Sequence, residues 1–295
     1  MTFSSQFEPA ETLSDAPQGA RAFSRRYPVW LCDIWGVVHD GLRAHPRACE
    51  ALECHRAEGG CVILITNAPR PSRVIVHQLN RLGVRRQAYD AVVSSGDVTA
   101  RLVSRRRDKV FHLGPERDLA LWEDAEVEFA GLDEACLVLC TGLMDDETET
   151  PESYTGLLQR MRERGLELIC ANPDKVVRRG KELVPCAGAL AEIYEAMGGK
   201  VLMAGKPFAP IYEAALDSAS KVLGRPVDRG EVLAIGDGLE TDVEGAARNG
   251  FDLLFIVGGI HEVELGEAGP DVYASAVRRA APHVRLKGVL KALCW

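Results

Sequence analysis

An alternation constrains this chain more than any other feature. Short, nearly continuous apolar runs are separated by longer amphipathic stretches almost throughout the sequence. The runs are VWLCDIW (29–35), CVILIT (61–66), YDAVVSS (89–95), KVFHL (109–113), CLVLCTG (136–142), LELICA (166–171), KVLMA (200–204), EVLAIGD (231–237) and DLLFIVGG (252–259). A strand without polar alternation is buried on both faces, which calls for parallel pairing with helices on either side. The intervening segments have helical spacing, as in Pro46–Glu58, Pro71–Leu82, Pro151–Arg164, Pro207–Leu223 and Glu240–Asn249. Four of these five open on proline, whose missing N–H costs nothing in a first turn. The pattern predicts an α/β fold, doubly wound around a mainly parallel sheet.

Composition narrows the partners. With 295 residues, 46% of them hydrophobic and 26% charged, the chain has the makeup of a soluble globular protein. A net charge of −8 argues against nucleic acid or an anionic membrane as the main ligand. The basic run Arg105-Arg106-Arg107 reads as a solvated helix face. No apolar run approaches the roughly 18 residues that cross a bilayer. The polar lead-in of residues 1–26 lacks a signal-peptide order, so the expected location is cytoplasmic. Nine cysteines are scattered without a C-x-x-C pair or zinc spacing. Cys32 adjoins Asp33, but alternation along a strand turns its thiol toward the core.

In open α/β sheets ligands gather at the carboxyl ends of the strands. Four ends here are polar: Asp33, Thr66-Asn67, Gly205-Lys206, and Gly236-Asp237 with Asp242 five residues on. Singly, each has an ordinary reading as a turn former, a helix cap or a solvated loop residue. Together they bring carboxylates, a hydroxyl, an amide and one ammonium to one place. Converging carboxylate oxygens suit Mg²⁺. The lysine and hydroxyl would neutralise a phosphoryl group, and Asp33 could attack its phosphorus.

The motifs Asp33-Ile34-Trp35-Gly36-Val37, Ile65-Thr66-Asn67, Gly205-Lys206-Pro207 and Gly236-Asp237-Gly238-Leu239-Glu240-Thr241-Asp242 resemble, in order, those of the haloacid dehalogenase superfamily. Ala171-Asn172-Pro173-Asp174 and Pro185-Cys186-Ala187-Gly188-Ala189-Leu190 resemble cap motifs of class IIA, the NagD-like and p-nitrophenyl phosphatase-like branch. The wording DIWGVVHDG suggests a bacterial subgroup within it. The resemblance, from about residue 29 to 261, implies a Rossmann-like core (27–102 and 204–295) interrupted by an α/β cap (103–203). It implies Asp33 as nucleophile and metal ligand, with the backbone carbonyl of Trp35 also on Mg²⁺. It further implies Thr66 and Asn67 on the phosphoryl group, Lys206 pairing with that group and with Asp33, Asp237 on the metal, and Asp242 supporting it. Relatives often dimerise through the cap, so a homodimer is compatible with it.

One position breaks the pattern. The second residue after the nucleophile is usually an aspartate that shuttles the proton; here it is Trp35. General acid–base catalysis is worth about 10²–10⁴-fold, so three readings stand. His39, which as a free side chain titrates near neutrality, takes over the shuttle, with Asp40 as the next candidate. Alternatively, hydrolysis is confined to good leaving groups, or the site only binds a phosphorylated metabolite as a sensor. Arg70, Asn172 and Asp174 are candidates for substrate contact, as are Arg178 and Arg179. The substrate class is a small phosphorylated metabolite such as a sugar phosphate or nucleotide monophosphate. Ser94 reads as a helix cap, and the stretch after residue 262 carries no interpretable motif.

Overall fold

The computed structural model describes residues 19–122, 127–179, 182–258 and 270–295. Six strands form one parallel sheet: β1 (Val29–Asp33), β2 (Cys61–Thr66), β3 (Ala91–Ser94), β11 (Val232–Gly236), β12 (Asp252–Ile256) and β13 (Arg285–Leu290), in the order β13-β12-β11-β1-β2-β3. A second parallel sheet holds β4 (Lys109–Leu113), β5 (Glu128–Phe129), β6 (Leu137–Cys140), β7 (Glu167–Cys170) and β10 (Lys200–Met203), in the order β10-β7-β6-β4-β5. An antiparallel hairpin of β8 (Val176–Arg179) and β9 (Glu182–Pro185) stands apart. The helices are α1 (Arg21–Ser24), α2 (Pro46–Ala57), α3 (Ser72–Leu82), α4 (Ser95–Ser104), α5 (Thr155–Glu163), α6 (Ala187–Ala196), α7 (Ala209–Leu223), α8 (Glu244–Asn249) and α9 (Pro270–Ala280). Among the described residues, no helix is long and apolar enough to cross a membrane.

All nine expected strands form, and their burial shows why. β1, β2, β11 and β12 are buried along their whole length. Alternate side chains feed two cores: Leu31, Ile63 and Phe255 on one face, Trp30, Cys32 and Leu254 on the other. The Cys32 thiol lies in the second of these, and burial pushes its pKa well up, so it is a core residue. Ser94 caps α4, its hydroxyl accepting from Asp97 N–H at 3.1 Å.

The C-terminal segment has a structural task. β13 adds to the sheet beside β12, and the chain end then returns to the start: Ala20 N–H donates to Cys294 O at 2.7 Å. Trp295 lies 6.3 Å from the Trp30 ring.

Trp30 also stacks on His55 of α2, centroids 3.8 Å apart and the rings nearly parallel. His55 is fully buried, with Ser24 Oγ 2.9 Å from its Nδ1, and burial lowers its pKa from 6.5 to about 4. The unfolded chain therefore binds a proton near pH 6 that the folded chain refuses. Stability contributed by the neutral ring is complete above pH 6.5 and is lost as the pH falls toward 4. At pH 5 the loss from His55 is about 2 kcal/mol. Urea unfolding at pH 7 and pH 5 measures it, and in His55→Phe the drop should be smaller by about that amount. An equal drop in both proteins would refute this assignment.

Candidate active site

Asp33 ends β1, a central strand flanked by β2 and β11, so its carboxylate emerges in the middle of the carboxyl edge of the sheet. The chain returns from β10 through Gly205 to Lys206, which is 3% exposed. Lys206 Nζ donates to Asp33 Oδ1 at 2.5 Å and to Asp242 Oδ1 at 2.8 Å. Asp237 follows β11 and is also buried. Asp242 sits in a π-helical turn, Leu239–Val243, just before α8. Such turns recur at functional sites because the extra residue redirects a side chain. Here Asp242 turns back over the strand end, and Gly238 N–H donates to its Oδ2 at 3.1 Å. Gly236 is what lets it come so close: a Cβ there would lie 2.1 Å from Asp242 Cγ.

Oxygens of Asp33, Asp237 and Asp242 all lie within 4.8 Å of one another. Lys206 pairs with two of these three buried carboxylates, Asp33 and Asp242. Burial raises the pKa of Asp33 well above the ordinary range, Asp242 and Asp237 add to the effect, and Lys206 opposes it. For Lys206 burial works against the ammonium, but Asp242 and Asp33 outweigh it and hold its pKa well up. An all-oxygen, anionic, desolvated donor set of this kind fits a hard divalent cation such as Mg²⁺.

Thr66 and Asn67, at the end of β2, are buried beside this group. The Thr66 hydroxyl accepts from Ala68 N–H at 3.2 Å and keeps its own proton to donate. Asn67 differs from expectation. Its Nδ2 donates to Asp174 Oδ1 at 2.9 Å and to Lys206 O at 3.0 Å, while its Oδ1 accepts from Lys206 N–H at 2.6 Å. The side-chain amide is a brace between the loop after β7 and the lysine, not a spare phosphoryl donor. Asn172 shapes that loop, its Oδ1 accepting from Asp174 N–H at 3.1 Å.

Two expected residues stand apart. Arg70 is exposed after β2, close enough to Asp118 to affect it electrostatically. His39 is buried, and burial lowers its pKa to about 4, which corrects the expectation that it titrates near neutrality. Its Nδ1 accepts from Gly41 N–H at 3.0 Å and its carbonyl from Gly36 N–H at 2.9 Å, so the ring is neutral and fastens a loop. Trp35 lies edge-on to it, centroids 4.9 Å apart, and stays 46% exposed. The indole rests over Gly41, whose φ of +88° and missing Cβ leave it room. Asp40 is exposed, and hydrogen bonds from Arg43 and Leu42 N–H hold its carboxyl below the usual range, which makes it a poor acid. The side chains of Arg178 and Arg179 lie outside the described residues.

One neighbour escaped the sequence reading. The buried Tyr212 hydroxyl has no hydrogen-bond partner among the described residues, and Asp242, Lys206 and Asp33 all act on it electrostatically. Tyr212 lies within α7, where an aromatic reads as one more apolar helix position.

Comparison with known proteins identifies the family. A family model described as haloacid dehalogenase-like hydrolase matches residues 30–128, and a HAD-hydrolase-like model matches 203–280. A crystal structure of a haloacid dehalogenase-like hydrolase from Brucella suis is 50% identical, with a TM-score of 0.77, over 83% of this chain and 94% of that one. The chain belongs to the haloacid dehalogenase-like hydrolases. Within these hydrolases its relatives place it in the class IIA branch. A 4-nitrophenylphosphatase of Schizosaccharomyces pombe is 23% identical across 92% of this chain and 99% of its own length. A p-nitrophenyl phosphatase from Archaeoglobus fulgidus, 22% identical, shares the fold with a TM-score of 0.71 over 90% of this chain and 96% of that one.

Proposed function

We propose that this haloacid dehalogenase-like hydrolase is a Mg²⁺-dependent phosphatase for a small phosphorylated metabolite, working through an aspartyl-phosphate on Asp33. The observation that carries the reading is Lys206 bridging Asp33 and Asp242 beside the third buried carboxylate, Asp237. Asp33 supplies the attacking oxygen, and the lysine fixes its direction while lowering the repulsion met by an incoming phosphoryl dianion. The Thr66 hydroxyl donates to a phosphoryl oxygen. Asp33, Asp237 and the Trp35 carbonyl would hold Mg²⁺, with Asp242 in support; the cation, when bound, offsets charge on the phosphoryl oxygens.

We read residues 103–203 as a cap over a core of 27–102 and 204–295. What supports this is the loop 172–174, which leaves the second sheet and meets Asn67 of the first. Such a lid excludes water from the reacting group.

The test is release of p-nitrophenolate from p-nitrophenyl phosphate. Turnover should require added Mg²⁺, fall to background with EDTA, and return when Mg²⁺ is restored. Turnover indifferent to EDTA would overturn the metal assignment. Binding of sugar phosphates or nucleotides without phosphate release would favour a sensor instead.

A further inference from the structure

Phosphoryl transfer through Asp33 needs a proton given to the leaving oxygen and then one taken from the attacking water, and neither Trp35 nor the buried His39, its pKa lowered to about 4, serves both steps. We propose that Asp174, on the loop after β7, is the general acid and base of this site. The inference rests on the reading of Asp33 as nucleophile.

The loop is built to hold that carboxyl still. Gly188 N–H, at the start of α6, donates to Asp174 O at 3.2 Å, and a Cβ at Gly188 would come within 2.2 Å of Pro173 O. On its other side Pro173 Cδ lies 2.8 Å from where a Cβ of Gly205 would be. The loop is thus wedged between α6 and the residue preceding Lys206, with glycine at both points of closest approach. The Asp174 carboxyl meets Asn67, Asn67 is tied to the Lys206 backbone in both directions, and Lys206 Nζ holds Asp33. Nucleophile and carboxyl are therefore braced against the same lysine.

The other carboxyls near the centre are committed. Asp242 is paired with Lys206, and Asp237 belongs to the cation set. Asp174 differs in being offered from the second sheet, opposite the strand ends. The groups acting on it are Lys206 and Asp242 from the first sheet and the Asn67 amide, with Cys170 beneath it on β7. Burial raises its pKa and Asp242 adds to this, against Asn67 and Lys206, so the net direction favours retaining a proton.

The chemistry balances. An Asp33 oxygen bonds to phosphorus as the bond to the leaving oxygen breaks, and Asp174 Oδ2–H protonates that oxygen to release the alcohol. A water then attacks the aspartyl-phosphate and gives a proton to the Asp174 carboxylate. The bond between phosphorus and Asp33 breaks, restoring the Asp33 carboxylate and the Asp174 acid and releasing phosphate.

The experiment compares kcat/KM of wild type and Asp174→Asn on p-nitrophenyl phosphate and on glycerol phosphate. Asparagine can still accept from Asn67 but carries no acid proton. The expected loss on glycerol phosphate is about 10²–10³-fold. On the aryl ester, whose leaving group needs little protonation, it is at least about tenfold smaller. Adding Trp35→Asp to the variant should restore part of the alkyl rate. Equal loss on both substrates, or no loss on the alkyl one, overturns the proposal. Should Asp174→Asn not fold, wild type itself decides, because a kcat/KM that falls by orders of magnitude as the leaving group becomes more basic leaves no acid to assign. Absence of Asp33-dependent turnover of p-nitrophenyl phosphate in wild type is the separate failure of the underlying reading.

Discussion

Asp33→Asn should lower kcat on p-nitrophenyl phosphate by about 10⁴-fold or more, the scale seen when a covalent nucleophile is removed. An amide oxygen cannot form the acyl phosphate, and the two neighbouring carboxylates, Asp237 and Asp242, are those proposed to hold or support the cation. The substitution should not unfold the protein. It breaks one contact of Lys206 but leaves the bond to Asp242, and it removes one of three carboxylates whose mutual repulsion and burial already raise the pKa of Asp33. Matching thermal melts together with lost turnover and lost phosphoenzyme are the expected set. Residual turnover above about one per cent of wild type would mean that another group attacks phosphorus, contrary to the roughly 10⁴-fold expectation.

For Lys206→Met the effect falls on stability as well as rate. The ammonium is the counter-charge contacting Asp33 and Asp242 in a desolvated site. Removing one partner of a buried pair costs about 3–5 kcal/mol, since the remaining charge is left uncompensated. For a chain of this size that lowers Tm by about 10 °C. Activity should fall about 10²–10³-fold through lost electrostatic stabilisation. Mg²⁺ should raise the melting point of the variant more than that of wild type, because the cation restores part of the missing charge. Thermal scans with and without Mg²⁺ read both effects. A metal-free melt within about 2 °C of wild type would show that the pair contributes little.

How legible the chain was depends on which physical constraint each part obeys. Strands buried on both faces must be apolar throughout, so β1, β2, β11 and β12 could be found from residue type alone. The same regularity located Asp33, Thr66, Lys206 and Asp237, each a polar residue ending an apolar run. Three kinds of element escaped. β5 is two exposed residues, the β8–β9 hairpin has charged residues in both strands, and β13 reads RLKGVL and sits at the sheet edge. An edge strand or free hairpin is not obliged to be apolar, so nothing in its wording announces it.

What the linear chain determined by itself was the doubly wound α/β class, the positions of the charged strand ends, and the missing acid at Trp35. Tertiary structure alone decided which side chains stand near the site and in what protonation state. His39 bears the right functional group at a plausible spacing, yet burial lowers its pKa to about 4 and takes it out of the range a shuttle works in. Asn67 and Asp174, 107 positions apart, meet only because the second sheet delivers its loop to the strand ends of the first. Proton affinity and contact over such distances depend on burial and on which surfaces close on one another, and neither is a property of a residue and its neighbours in sequence.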